Sequence, residues 1–201
     1  MVTPVYIALE GAEGCGKSTH AARLAAAIDA VLTRETGGTH IGQRIRSILH
    51  DASVTELADK AEALLTAADR AQHLHQVVGP ALAAGRHVVS DRSVHSTLAY
   101  QGYGRGLDVD ELRRINAWAI GHHWPDLVLL LDVDAELLEQ RMHGRDLDRF
   151  ELAGHEFHQR VQAGFRQLAA ADERWVVIDG NADADAVAHD VRRAVHGRLG
   201  V

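Results

Sequence analysis

The chain has 201 residues, of which 46% are hydrophobic and 24% are charged, and its formal net charge at pH 7 is −7. This length and composition indicate one globular domain over residues 1–201. The acidic balance excludes a protein whose whole surface binds nucleic acid, because such a surface is basic. One cysteine excludes an internal disulfide. Because neither a signal-peptide pattern nor an apolar run of about 18 residues is present, we expect a cytoplasmic protein without membrane contact.

Short apolar runs bounded by turn residues alternate with longer helical patterns. The runs lie at residues 5–9, 31–33, 87–90, 127–133 and 175–178. This alternation is typical of a parallel sheet with helices on both faces. The sequence therefore predicts a three-layer α/β fold with a five-stranded parallel sheet flanked by helices, and ligands are expected at the carboxyl ends of the strands.

Two helical signals lie between the second and third strands. Residues 53–56 read Ser-Val-Thr-Glu, a pattern typical of a helix start. Residues 59–84 then predict one long helix, whose first helix breaker is the Gly79-Pro80 pair.

A phosphate loop follows the first strand directly. Residues 11–18 read Gly-Ala-Glu-Gly-Cys-Gly-Lys-Ser and match G-x-x-x-x-G-K-[ST] in full. The glycines let backbone N–H groups turn toward phosphates, and Ser18 opens a helix whose positive end faces the same anion. Lys17 is expected to reach the β and γ phosphates, and Ser18 to ligate Mg²⁺. The loop predicts ATP binding by Gly11, Glu13, Gly14, Cys15, Gly16, Lys17, Ser18 and Thr19, with no chemistry for the Cys15 thiol.

A second charged pair, Asp91-Arg92, follows the strand at residues 87–90. A carboxylate at this edge of the sheet can hold Mg²⁺, and an arginine there offers a bidentate fork to a phosphate. The alternative is an ordinary surface ion pair after a strand. The sequence therefore predicts Ser18 and Asp91 as the ligands of Mg²⁺.

A third charged segment contains Arg141, Arg145 and Arg149 around Gly144. Such a segment, at about residues 141–151, could close over phosphates as a lid. Interleaved aspartates leave a solvated charge run as an equal alternative.

Five motifs in order resemble those of bacterial thymidylate kinases over almost the whole chain. They are the phosphate loop at 11–19, Thr-Arg-Glu-Thr-Gly-Gly-Thr at 33–39, the helix motif at 60–73, Asp91-Arg92-Ser93 with Ser96 and Ala-Tyr-Gln-Gly at 99–102, and Asp-Arg-Phe-Glu at 148–151 with Phe157. The resemblance implies a P-loop NTPase fold with a short lid. It also implies transfer of the γ-phosphoryl group of ATP to thymidine monophosphate with Mg²⁺, and a homodimer.

The resemblance also implies roles for individual residues. The catalytic groups would be Lys17, Arg92, Arg145 and Arg149, because the lid supplies the transition-state arginines when the phosphate loop carries Glu13 in place of an arginine. Arg92 and Arg34 would bind the acceptor phosphate, Glu13 would lie near the sugar 3′-hydroxyl, and Tyr100 would lie beneath the sugar. The base pocket would contain Thr66, Arg70, Thr97 and Gln101, with Arg46 nearby.

Three positions depart from the family's pattern. Thr66 replaces a phenylalanine that stacks on the base, and no aromatic residue occurs between Tyr6 and Tyr100. A looser base pocket is therefore expected, and a modified or non-thymine pyrimidine nucleotide is an alternative acceptor. Thr36 replaces a proline, so a trans peptide bond is expected before it, with a shifted loop. Ser93 replaces a tyrosine. A nucleotide-binding regulator or inactive kinase homologue is the alternative from another class.

Overall fold

A parallel sheet forms the centre of the computed structural model, which describes residues 3–144 and 148–201. Among these residues the strands are β1 Tyr6–Glu10, β2 Val31–Arg34, β3 Val88–Asp91, β4 Leu127–Asp132 and β5 Trp175–Asp179, in the order β2-β3-β1-β4-β5. Leu9 of β1 pairs with Asp91 on one side and with Leu129 on the other. The prediction of a five-stranded parallel α/β fold is confirmed.

Helices follow the strands on both faces of the sheet. They are α1 Lys17–Ala27, α2 His40–His50, α3 Asp59–His73, α4 Gly79–Ala83, α5 Val94–Thr97, α6 Val109–Ile120, α7 Ala135–Met142, α8 His155–Ala171 and α9 Ala184–Leu199. A π-helical turn, Leu74–Val78, joins α3 to α4, so the long helix predicted over residues 59–84 is present with a π turn inside it. No helix of the described chain combines the length and apolar character needed to cross a membrane.

The sheet separates two parts of the core. Ile7 and Leu129 pack on one face against buried residues of α1 and α9 such as Leu24 and Val191. Leu130 belongs to the opposite face, whose cluster also contains Phe150, Phe157 and Phe165. Because successive side chains of a strand point to opposite faces, strands covered on both sides are apolar along their whole length. The polar residues therefore collect where the strands end.

The helix start predicted at residues 53–56 is wrong, because α3 begins at Asp59 after the extended residue Ala58. Ser53 is used in a turn instead: its N–H and its hydroxyl donate to Asp51 Oδ1 at 2.8 and 2.6 Å. A serine that bonds back to a preceding aspartate is not available to cap a helix.

Candidate active site

The phosphate loop is wrapped closely between β1 and α1. Gly11 has φ 144°, and a Cβ atom there would lie 2.7 Å from the carbonyl oxygen of Leu131, so glycine is required. Gly16, with φ 96°, precedes α1 as its N-cap. The Lys17 ammonium donates to the carbonyl oxygen of Ala12 at 2.7 Å. The loop therefore closes around Lys17 at the positive end of α1.

Two oxygen groups suited to Mg²⁺ lie beside this loop. Ser18 Oγ donates to Asp91 Oδ2 at 2.5 Å, and Asp91 is the last residue of β3. Hydroxyl and carboxylate oxygens are ligands that Mg²⁺ accepts, with phosphate and water completing its shell. The residues predicted to hold the metal are thus adjacent, and their chemistry fits it.

A cleft runs along the phosphate loop. Its lining contains Ser18 and Asp91 together with most of the residues predicted to bind ATP, namely Glu13, Gly14, Gly16, Lys17 and Thr19. Gly11 and the buried Cys15 contribute to the loop and not to the lining. The cleft combines N–H groups, an ammonium and a metal-ligating pair, which is the chemistry that a triphosphate requires.

Arg92 stands where this cleft meets a second cavity. Its φ of 74° is in the left-handed region, which is uncommon outside glycine. The guanidinium donates to Ser96 Oγ and to Tyr100 Oη, each at 3.1 Å, and contacts the Glu13 carboxylate. Burial would raise the pKa of Glu13, but Arg92 and then Lys17 hold it at about 2. Glu13 therefore stays ionised and can accept hydrogen bonds.

Three guanidinium groups converge at the cleft. Arg34 ends β2, Arg46 projects from α2 and Arg92 follows β3, and all three line the cleft. Burial, followed by the positive charges of Arg34 and Arg92, lowers the pKa of Arg46. A phosphate dianion between these groups would offset their mutual repulsion. The arrangement is suited to hold a second phosphate facing the phosphate loop.

The second cavity adjoins the cleft through shared residues that include Glu13, Arg46 and Arg92. The rest of the predicted acceptor set lines it as well: Thr66, Arg70, Thr97, Tyr100 and Gln101. Ser93 also lines it, as expected for a residue of the pocket wall. The structure thus brings together in this cavity every predicted acceptor residue except Arg34, which lines the cleft instead.

Arg70 is buried in the wall of this cavity and is oriented by other protein groups. Its Nε donates to Glu35 Oε2 at 2.8 Å, its Nη1 contacts Asn116 Oδ1 and its Nη2 donates to Thr97 Oγ1 at 3.1 Å. Thr97 Oγ1 in turn donates to Thr66 Oγ1 at 3.2 Å. The hydrogen bonds fix the guanidinium in the wall, and its role toward a base stays a prediction.

The peptide bond between Glu35 and Thr36 is cis, so the expected trans bond is wrong. The shape of this loop is set by its neighbours and not by a proline ring. The Gly37 N–H donates to Asp69 Oδ1 at 3.0 Å, and Arg46 Nη1 donates to the Thr36 carbonyl oxygen at 3.4 Å. Burial alone would raise the pKa of Glu35, but its partner Arg70 lowers it below the usual value.

The sequence predicts catalytic roles for two arginines of the lid, Arg145 and Arg149. Arg145 lies outside the described residues. Arg149 is paired with groups outside the phosphate loop: its Nη2 is 2.7 Å from Glu62 Oε2, and its Nε donates to the carbonyl oxygen of Leu49 at 2.9 Å. Arg149 is not among the residues that line the cleft with Lys17, and its catalytic role stays a prediction.

Glu10 organises the site although it belongs to no motif. It is fully buried at the end of β1, and burial raises its pKa. One carboxylate oxygen accepts hydrogen bonds from the Ser93 N–H and hydroxyl, both at 2.8 Å, and the other accepts from Ser96 Oγ at 2.6 Å. These bonds hold the segment that carries Arg92. The sequence signal that could have identified Glu10 is a charged residue at the end of an apolar strand, the same signal that marks Asp91.

The sequence model of the thymidylate kinase family matches residues 9–191, which include the phosphate loop and the residues of both cavities. The chain belongs to the thymidylate kinase family. It is 47% identical to the thymidylate kinase of Solidesulfovibrio magneticus over 93% of this chain and 96% of that protein. It is 41% identical to the thymidylate kinase of Halothermothrix orenii, over 97% of this chain and 98% of that one.

A solved structure of the same family has the same fold. The thymidylate kinase from Ehrlichia chaffeensis superposes with a TM-score of 0.80 at 29% identity, covering 96% of this chain and 98% of that chain. The resemblance and the P-loop NTPase fold are therefore confirmed. Membership of the family favours neither a different acceptor nor an inactive homologue.

Proposed function

We propose that the protein transfers the γ-phosphoryl group of ATP to thymidine monophosphate, giving dTDP and ADP. The observation that carries this proposal is the junction of two cavities, one along the phosphate loop and one lined by the acceptor residues, with Arg92 between them. Family membership over residues 9–191 supports the same reaction.

The acceptor phosphate needs no general base. Its second pKa is near 6, so it is already an oxyanion at neutral pH. The main barrier is electrostatic, since two polyanions approach in line while charge spreads over the transferring group. Lys17 would bind the β and γ phosphates, and Arg92 with Arg34 and Arg46 would hold the acceptor phosphate facing them. The arginines thus orient the acceptor and offset its charge.

Mg²⁺ is proposed to bind at Ser18 and Asp91, whose oxygen atoms lie beside Lys17 in the cleft. When bound, it supplies charge neutralisation on the β and γ phosphate oxygens. We propose Arg145 as the lid arginine for the transferring group, since Arg149 is paired with Glu62.

The sugar and base would occupy the inner cavity. The ionised Glu13 can accept a hydrogen bond from the sugar 3′-hydroxyl, and the Tyr100 ring lies against the Arg92 guanidinium at 5.0 Å. Arg70, Thr97 and Gln101 would provide the polar edge of the base pocket. We also propose that the protein works in the cytoplasm, where ATP and nucleoside monophosphates are found.

A homodimer is proposed through α2, α3 and α6. These helices pack side by side, and large apolar side chains stay exposed on them: Ile41, Ile48, Leu64 and Trp118. Trp118 has 88% of its surface exposed. Large apolar side chains left exposed on neighbouring helices are typical of an interaction surface.

The direct test is ADP release from Mg-ATP with a panel of dTMP, dUMP, dCMP and dGMP, with Lys17→Ala as the inactive control. We expect the highest kcat/KM with dTMP and no turnover by the control. Preference for another monophosphate would identify a different acceptor. Absence of ADP with every monophosphate would favour a nucleotide-binding regulator.

A further inference from the structure

The helix α3 presents a small polar residue to the base cavity. Thr66 is 6% exposed and lines the cavity. Its hydroxyl donates to the Ala63 carbonyl oxygen at 2.8 Å and accepts from Thr97 Oγ1 at 3.2 Å. Thr66 therefore supplies neither a ring nor an unused donor to a bound base.

The carbocyclic rings that line this cavity come from other elements. Among the described lining residues they are Tyr100 and Phe150. Their ring centroids are 5.9 Å apart and the planes are perpendicular. The imidazole of His50 meets the Phe150 ring edge-on at 5.2 Å. Tyr100 Oη accepts a hydrogen bond from Arg92, so we assign Tyr100 to the phosphate end of the cavity. Phe150 is then the ring that remains to face a base.

Phe150 belongs to the lid segment, and its neighbours in sequence fix its position. The Arg149 N–H donates to the His50 carbonyl oxygen at 3.2 Å, and the Arg149 guanidinium lies 4.8 Å from the Phe150 ring. Asp148 Oδ2 is 2.6 Å from His50 Nδ1. Residues 148–150 are thus attached to the end of α2 on the edge of the cavity.

One buried carboxylate also joins this segment to the base cavity. Glu62 is fully buried; it lies 2.7 Å from Arg149 Nη2 and accepts a hydrogen bond from Gln101 Nε2 at 2.7 Å. Gln101 lines the cavity. The side chain that holds the lid arginine therefore also positions a residue of the base wall.

We propose that Phe150 forms the aromatic wall of the acceptor's base site, so that the lid segment at residues 148–150 determines binding and selectivity for the pyrimidine. This inference rests on the proposed function. Stacking of a base on an aromatic ring changes affinity about tenfold to a hundredfold, which makes one ring measurable in a KM value. Because the ring comes from the lid, binding of the base and placement of the lid are coupled.

The kinetic test compares Phe150→Leu with Phe165→Leu. Phe165 is buried, and its ring is 6.1 Å from that of Tyr100, but it does not line the cavity. Phe150→Leu is expected to raise KM for dTMP about tenfold, with KM for ATP unchanged and less discrimination between dTMP and dUMP. Phe150→Tyr keeps an aromatic ring and is expected to recover most of the affinity for dTMP that Phe150→Leu loses. In Phe165→Leu, KM for dTMP should stay near the wild-type value.

The outcomes separate the two proposals. If the wild type phosphorylates dTMP but Phe150→Leu keeps its KM for dTMP within twofold, the inference is overturned and the proposed function stands. The inference is also overturned if Phe165→Leu raises KM for dTMP equally, because the effect then belongs to core packing. If the wild type does not turn over dTMP at all, the proposed function itself fails.

A second measurement requires no substitution of Phe150 by another natural residue. The chain contains three phenylalanines, at 150, 157 and 165, so 4-fluorophenylalanine labelling gives three assignable fluorine resonances. Addition of dTMP is expected to shift the Phe150 resonance most, and ribose 5-phosphate, which lacks the base, should not reproduce the shift. An unchanged Phe150 resonance under saturating dTMP would overturn the inference without any question of folding.

Discussion

The carboxylate of Glu13 accepts a hydrogen bond from the guanidinium of Arg92 where the phosphate-loop cleft meets the acceptor cavity. This contact joins a residue of the phosphate loop to the residue that follows β3. Burial lowers the pKa of Arg92, but Glu13 opposes that effect and holds it well above its usual value. The Arg92 guanidinium therefore stays positively charged over the whole pH range in which the protein works.

Arg92→Lys is expected to lower kcat/KM for dTMP by about a hundredfold or more, because an ammonium cannot contact Glu13, Ser96 and a phosphate in the same geometry. Steady-state ADP release measures this. Arg44→Lys, an exposed residue of α2, is the matched control and should behave as the wild type. Equal loss in the two variants would contradict the role given to Arg92.

Asp91→Asn is expected to raise the Mg²⁺ concentration needed for half-maximal rate by about tenfold or more, because it removes a charge from the metal site while leaving an oxygen that Ser18 can contact. A Mg²⁺ titration at fixed ATP is the measurement. The surface variant Asp110→Asn serves as control. An unchanged Mg²⁺ requirement in Asp91→Asn would exclude Asp91 from the site.

His95 makes folding stability depend on pH. Burial, and then the charge of Arg174, lower the pKa of His95 to about 3. The unfolded chain protonates this histidine near 6.5 while the native protein does not, so stability falls as pH decreases from about 6.5 toward 3. At pH 5 this residue accounts for about 2 kcal/mol of the loss.

The test is urea unfolding of the wild type and of His95→Gln at pH 7.5 and pH 5. The difference in free energy of unfolding between the two pH values is expected to be smaller in the variant by about 2 kcal/mol. Equal differences in the two proteins would mean that His95 titrates normally in the native state.

Trp118→Glu is expected to convert the proposed dimer into a monomer, because it replaces the exposed indole of α6 by a charge. Light scattering during size-exclusion chromatography gives the mass directly. Trp118→Phe keeps the apolar character and should remain dimeric. A wild-type mass of one chain would contradict the homodimer.

Local motifs in the sequence were enough to predict the phosphate loop, the Ser18 and Asp91 pair and the strands, because each depends on neighbouring residues and on alternation of apolar runs. The carboxyl ends of parallel strands meet at one edge, so Arg34 and Arg92 could also be assigned to one site. The register of the sheet then brought them to the cleft, as expected.

Of the two predictions that failed, one depended on contacts distant in sequence and the other on a competing local hydrogen bond. The cis bond at Glu35 and Thr36 lies in a loop that Asp69 and Arg46 shape, and the false helix start at Ser53 resulted from a competing bond to Asp51. Secondary-structure propensities are assigned to each segment separately, whereas these hydrogen bonds outweigh the conformation that the segment alone would prefer.

Residue type and spacing alone predicted the phosphate loop and its triphosphate ligand, and the family resemblance added the expected roles of the arginines. Contacts between distant segments place Arg92 against the Glu13 carboxylate, and they set the positions of Arg149 and Phe150. Packing brings Phe150 into the cavity beside Thr66, from about 80 residues away along the chain. A pocket lined by residues from several segments forms only when those segments pack against one another, and that packing depends on the whole core.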